Sequence, residues 1–136
     1  MKTIITKISE LQYDEKEYIL YIKIKNDVSV DLESIKEHFK ATSALTKNEN
    51  HFALIDATNY FSIDEEALKY AAMEEYTTGR VAAAFYSANL SSRLTIHFFK
   101  LFRRPSYLVQ LFKKKEDALN WLGHEVKQEE KILLAV

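Results

Sequence analysis

Side chains able to do chemistry are thinly spread along these 136 residues. Four histidines, His38, His51, His97 and His124, stand far apart, and none has a metal-type partner three or four positions further on. Zinc sites are built from such spacings, so no metal centre is expected. The chain has no cysteine, which removes thiolate ligands, a sulfur nucleophile and disulfides together and fits a reducing compartment. Ser62 and His97 could form a nucleophile and base, but a triad also needs an orienting acid and an oxyanion hole, and neither can be placed. Asp56 and Asp64 could act as paired acids, with nothing to set them apart from other carboxylates. Gly79 and Gly123, the two glycines, sit where helices should stop and form no phosphate-binding loop. No catalytic constellation assembles and no cofactor is called for. The chain reads as a binding protein, not an enzyme.

The elements that would carry a binding site are better defined. Thr3 to Ile8 is a short apolar strand. Leu20, Ile22 and Ile24 alternate with Tyr21, Lys23 and Lys25, so Tyr18 to Lys25 is a half-buried strand. The polar stretch from Tyr13 to Lys16 is the turn of the hairpin between them. Asp31 caps a helix with Leu32, Ile35 and Phe39 on one face, ending near Ala44. His51 to Asp56 lacks alternation and reads as a strand buried on both faces. Ser62-Ile63-Asp64-Glu65 is a capping box with Ser62 as N-cap. It opens a helix that turns Leu68, Ala71 and Ala72 inward and stops at Gly79. Val81 to Tyr86 and Tyr107 to Phe112 are further buried strands. Between them a helix runs from Asn89 or Ser91 to about Phe102, ended by Arg104 and Pro105. A last helix holds Ala118, Leu119, Trp121 and Leu122 and stops at Gly123.

The order β-β-α-β-α-β-α-β-α defines an α/β fold. Helices between buried strands imply right-handed crossovers and a parallel core. The expectation is a mixed five-stranded sheet with that parallel core and an antiparallel N-terminal hairpin, packed with helices. One domain covers residues 1–126 and a tail residues 127–136.

In such sheets ligands gather beyond the carboxyl ends of the parallel strands. The loops there offer Asp56, Thr58, Asn59, Ser87, Asn89 and Ser91, a polar ring suited to a ligand or peptide, although the same residue types also make ordinary turns and caps. On a helical wheel Leu90, Leu94, Phe98, Leu101 and Phe102 share a face that would bury against the sheet. Ile96 and Phe99 then point outward beside Ser92, Lys100 and Arg103. Such outward apolar groups need a cover: a second copy of the chain, another protein, an anionic lipid surface or a neighbouring element. Phe99→Glu would then break an assembly and spare the fold. Arg93, Lys100, Arg104 and Lys113 could form a basic rim for phosphate or lipid head groups, or simply solvate the surface.

The stretch from Ala53 to Ala67 resembles the STAS domain, the fold of the anti-sigma factor antagonists. Its members carry a strand ending in Leu-Asp, a short loop, and Asp-Ser-Ser-Gly opening a helix. Here the strand ends Ile55-Asp56, the loop is Ala57 to Ile63, and Asp64-Glu65-Glu66-Ala67 falls at the spacing of the helix-opening motif. The C-terminal half resembles bacterial STAS-like proteins grouped with CRAL-TRIO lipid-binding domains, which close in a strand, a phenylalanine and an acidic helix with Ala-x-x-Trp-Leu. The counterparts are Phe112 and Glu116-Asp117-Ala118-Leu119-Asn120-Trp121-Leu122. The resemblance implies a STAS-like fold and a partner-binding site at Asp64 and Glu66, with Ser62 beside it. In the antagonists the second serine of the motif is phosphorylated, and Glu66 stands there. The phospho-switch is then absent or fixed in a phosphate-like charge state. In the plainer reading the acids of this first turn serve the helix dipole.

The bulk composition bounds the rest. Apolar residues make up 47% and charged residues 29%, as in an ordinary globular domain. Residues 1–79 carry 9 basic and 15 acidic side chains and residues 80–136 carry 10 and 5, for a net charge of −1. That balance argues against nucleic-acid binding, which wants a strong positive field. No signal-peptide pattern and no membrane-length apolar run appears, so the chain is expected in the cytoplasm. The leading expectation is a protein-contact module, most simply a homodimer. Its alternative is a carrier or sensor of a small apolar or lipid-like ligand, which requires an enclosed apolar cavity.

Overall fold

Leu11 and Tyr13 alternate with Glu10, Gln12 and Asp14 across a stretch that runs into the turn expected at Tyr13 to Lys16. In the computed structural model, which describes residues 1–73 and 79–135, that stretch is a strand. β1 (Lys2–Ile5), β2 (Ser9–Asp14) and β3 (Ile19–Ile24) form an antiparallel meander. The first strand stops short of Ile8 because the Thr6 hydroxyl accepts from the backbone of Ile8 and Ser9, at 3.2 and 3.0 Å, and turns the chain. The sheet therefore has six strands instead of five, in the order β1-β2-β3-β5-β7-β8. β5 (His51–Asp56), β7 (Arg80–Tyr86) and β8 (Leu108–Phe112) extend it in parallel from β3. β4 (Val28–Val30) and β6 (Phe61–Ile63) pair as a separate parallel ribbon.

Asp31 caps α1 (Leu32–Thr46) as expected, in a reciprocal box with Ser34, and the helix ends at Lys47 in the left-handed conformation. α2 (Glu65–Ala72) starts differently. Ser62 is committed to β6, and Asp64 is the N-cap, accepting from the Ala67 amide at 2.9 Å. The helix ends at Ala72, and the rest of its expected run to Gly79 crosses residues 74–78, outside the described residues. Gly79 itself lies in a turn at φ +87, where a Cβ would lie 2.5 Å from the Glu49 carbonyl oxygen. α3 (Leu90–Phe98) is capped by Asn89 and continues as a π-helical turn, Phe99–Arg103. α4 (Lys115–Ala135) passes straight through Gly123 and takes up the expected tail. An exposed helical glycine costs only about 1 kcal/mol, and α4 has Ala118 and Leu122 before it and Val126 after it against the sheet.

The two faces of the sheet are covered separately. Leu11, Leu20, Ile22, Ala53, Ile55 and Ala83 face one core, closed by Ile35 and Phe39 of α1, Ala67 and Ala71 of α2, and Ile96 with Phe99. Phe52, Leu54, Ala82 and Ala84 face the other, beneath Ala118 and Leu122 of α4. β5 is buried from His51 to Ile55 because both faces of the sheet are covered there.

Candidate ligand cavity

The first residue of β7 breaks the period of its strand. His51 pairs with Arg80 and Phe52 with Ala82, leaving Val81 as an extra residue, a β-bulge. In a regular strand Arg80 would share the α4 side with Ala82 and Ala84. The bulge turns it to the opposite face, under α1 and beside Tyr107.

On that side the sheet and the helices line a partly open apolar cavity of about 100 Å³. Ile22, Ile55 and Phe85 form its floor, Ile35 and Phe39 one wall, and Ile96 with Phe99 its cover. Five polar side chains interrupt the hydrocarbon: Ser9, His38, Arg80, Thr95 and Tyr107. His38 Nδ1 hydrogen-bonds the Ser9 hydroxyl at 2.7 Å. The Tyr107 hydroxyl donates to the Ala71 carbonyl at 3.1 Å, and the Arg80 guanidinium carbon lies 5.5 Å from its ring centre. Burial, with the Arg80 charge second, pulls His38 down to about 3 and His51 down to about 4, so both are neutral at pH 7. His51 donates from Nδ1 to the Glu49 carbonyl at 2.9 Å, and its Nε2 has no partner. Burial lowers Arg80 and raises Tyr107, yet a guanidinium stays charged.

The strand-end residues anticipated as a binding ring are tied to one another. Asp56 accepts from the Thr58 backbone and hydroxyl at 3.0 and 2.7 Å. Asn59 donates to the Ile24 carbonyl at 3.0 Å and receives Ser92 on its own carbonyl at 3.2 Å. Ser87 accepts from the Asn89 amide and Asn89 from the Ser91 amide, each at 3.0 Å. These groups strap the β5–β6 loop to the start of α3. Ser62, Asp64 and Glu66 stand exposed, Ser62 on β6 and the two acids at the start of α2. Behind the sheet, Asp56 and Tyr86 line an open polar groove of about 370 Å³ with Glu10, Lys23 and Lys115. Burial and then the charge of Asp56 push Tyr86 up to about 12 there.

The faces of α3 are reversed from expectation. Ser92, Ile96 and Phe99 are buried at 2, 4 and 5% exposure, whereas Leu90, Leu94, Phe98, Leu101 and Phe102 are 50–70% exposed. Ser92 decides the matter: its small side chain and its bond to Asn59 let the helix approach the loop, and Ile96 and Phe99 then fall over the cavity. The anticipated interface residues Ser92, Ile96 and Phe99 are thus interior, and Arg103 is held by an ion pair to Glu65. Of the basic rim, Arg93 donates to the Ser87 carbonyl and Lys100 to Gln110, both at 3.0 Å, while Arg104 and Lys113 are exposed.

Sequence reasoning passed over Arg80, His38 and Tyr107. The signal for Arg80 was present as a cation opening an otherwise apolar strand, but the bulge that aims it leaves no mark in a period-two pattern. No cluster of three or more metal-ligating side chains occurs among the described residues.

This arrangement, a sheet with an antiparallel meander at one side, a parallel core and helices on both faces, is the STAS-like fold. A crystal structure of an uncharacterized protein from the DUF3478 family of Shewanella loihica PV-4, described as having a SpoIIAA-like fold, is similar to it. The TM-score is 0.59 at 18% identity, over 90% of this chain and 98% of that one. A family profile described as a domain of unknown function, DUF7793, matches residues 13–125, and the chain belongs to that family. No curated protein matches the sequence.

Proposed function

We propose that this protein is a non-enzymatic, cytoplasmic STAS-like module that carries or senses a small apolar ligand in the cavity between the sheet and α1, α2 and α3. The apolar cavity, partly open to the surface, carries this reading. An apolar cavity of about 150 Å³ holds a benzene molecule, so the space here suits a ligand somewhat smaller than that. The polar strand-end loops, first in line by sequence, have spent their hydrogen bonds on caps and straps. Native mass spectrometry of freshly purified protein is the test. A discrete mass above that of the bare chain is expected; bare chain alone, in both fresh and ligand-soaked samples, would count against a carrier.

The outer face of α3 favours a second reading, contact with a second copy of this chain. Phe98 and Phe102 stack there with ring centres 5.3 Å apart and lie more than half exposed. A patch of that kind is unusual on a solitary domain. Its measure is the mass in solution of a Phe98→Glu variant against that of the unaltered chain.

A further inference from the structure

The side of α3 turned away from the cavity carries a continuous stripe of hydrocarbon. Leu90, Leu94 and Phe98 follow one another at intervals of four, the spacing of a single helix face, and are 70, 50 and 53% exposed. Leu101 and Phe102 continue the stripe on the π-helical turn at 50 and 68% exposure, with Phe102 stacked on Phe98. A stripe of basic residues runs beside it. Arg93, His97, Lys100 and Arg104 recur three or four positions apart. Arg93 bonds the Ser87 carbonyl and Lys100 the side chain of Gln110, both neutral acceptors, so each cation keeps its charge. Arg104 is exposed. No Asp or Glu occurs from residue 76 to residue 115.

Exposed hydrocarbon edged by cations matches an anionic lipid surface, which takes apolar side chains below its head groups and draws basic ones to them. It matches a second copy less well. A two-fold contact lays the same patch on itself, so neither copy would bring an anion from α3 to the other's cations. We infer that this face docks the protein reversibly on an anionic membrane surface. Phe98 and Phe102 enter the interface, and Arg93, Lys100 and Arg104 lie at the head groups. No helix among the described residues is long and apolar enough to cross a bilayer, so the contact is with one leaflet. Each basic side chain near such a surface strengthens binding roughly fivefold, an effect that salt screens. The inference goes beyond the cavity and does not depend on it.

The test is flotation of the full chain with vesicles of phosphatidylcholine alone and of phosphatidylcholine carrying about one-third phosphatidylglycerol. Binding to the anionic vesicles is expected to be roughly tenfold or more above that to the neutral ones, and to fall as salt rises from about 0.1 to about 0.5 M. Phe98→Glu should abolish flotation. The double variant Lys100→Gln/Arg104→Gln should weaken it roughly tenfold or more while melting like the parent. That variant leaves the apolar stripe untouched, so it reads the electrostatic part even if Phe98→Glu fails to fold. Equal flotation with the two kinds of vesicle would overturn the anionic surface. Flotation unchanged in a folded Phe98→Glu would overturn α3 as the docking face. If the chain floats with neither, docking on a bilayer is wrong, and a solution mass lowered by Phe98→Glu would give the face to a second copy instead.

Discussion

His38 and His51 link the interior of this protein to pH. Both have an ordinary value of 6.5 and are pulled well below it by burial and by Arg80. Over the interval from about 6.5 down to about 4, the unfolded chain therefore binds protons that the folded chain refuses. Stability contributed by keeping these imidazoles neutral is fully present above the unfolded value and is lost as pH falls through the interval. The slope is up to about 1.4 kcal/mol per pH unit for each histidine. Denaturant titrations at pH 7.5 and pH 5 should show a marked loss of stability on acidification, and the double variant His38→Gln/His51→Gln a flatter profile. An identical slope in both proteins would exclude these two groups as its source. The sequence placed both histidines correctly on α1 and β5. It was silent on their neutrality, which comes first from burial and second from Arg80, a neighbour brought in by a bulge.

At the scale of the element, α3 is where the sequence misled. Both of its faces are apolar, and a wheel favours the larger set, Leu90, Leu94, Phe98, Leu101 and Phe102. The structure buries the smaller set because Ser92 must reach Asn59 and because Ile96 and Phe99 close the cavity. Hydrophobic periodicity counts side chains; it does not see a hydrogen bond to a distant loop. The π-helical turn at Phe99–Arg103 then brings Arg103 to Glu65 of α2. Two exchanges separate the faces. Phe99→Glu puts a charge into the core and should cost about 4 kcal/mol or more, enough to unfold a marginal domain. Phe98→Glu should change stability by no more than about 0.5 kcal/mol while lowering the mass of any self-assembly seen by light scattering. If Phe99→Glu melts like the parent, the assignment of the inner face is wrong. Elsewhere the elements were legible where one cue sufficed: Asp31 before an apolar-faced helix, alternation in β3, unbroken apolar runs in β5 and β7. Ser62 failed as a cap because β6 claimed it, a pairing with β4 that no local pattern announces.

For the whole molecule, the expected class holds, with one strand more in the main sheet and a separate two-stranded ribbon that was not anticipated. β2 was not read as a strand, and its last residues, Tyr13 and Asp14, were assigned to a turn, although Leu11 and Tyr13 supply a complete inward face. Strand order follows from which neighbours each strand must satisfy. β5, bonded to β3 on one side and β7 on the other, is covered on both faces. β1 bonds to β2 alone, and its burial is slight.

That difference in position is also a difference in how long a backbone proton survives. An amide in the middle of β5 meets solvent only when the sheet comes apart from both sides, so Ala53, Leu54 and Ile55 should exchange with deuterium at the rate set by global unfolding. Amides of β1 need only that edge to fray and should exchange orders of magnitude faster. Equal protection in the two strands would contradict this hierarchy. The protein then keeps its most durable record of the folded state in the strand beneath its cavity.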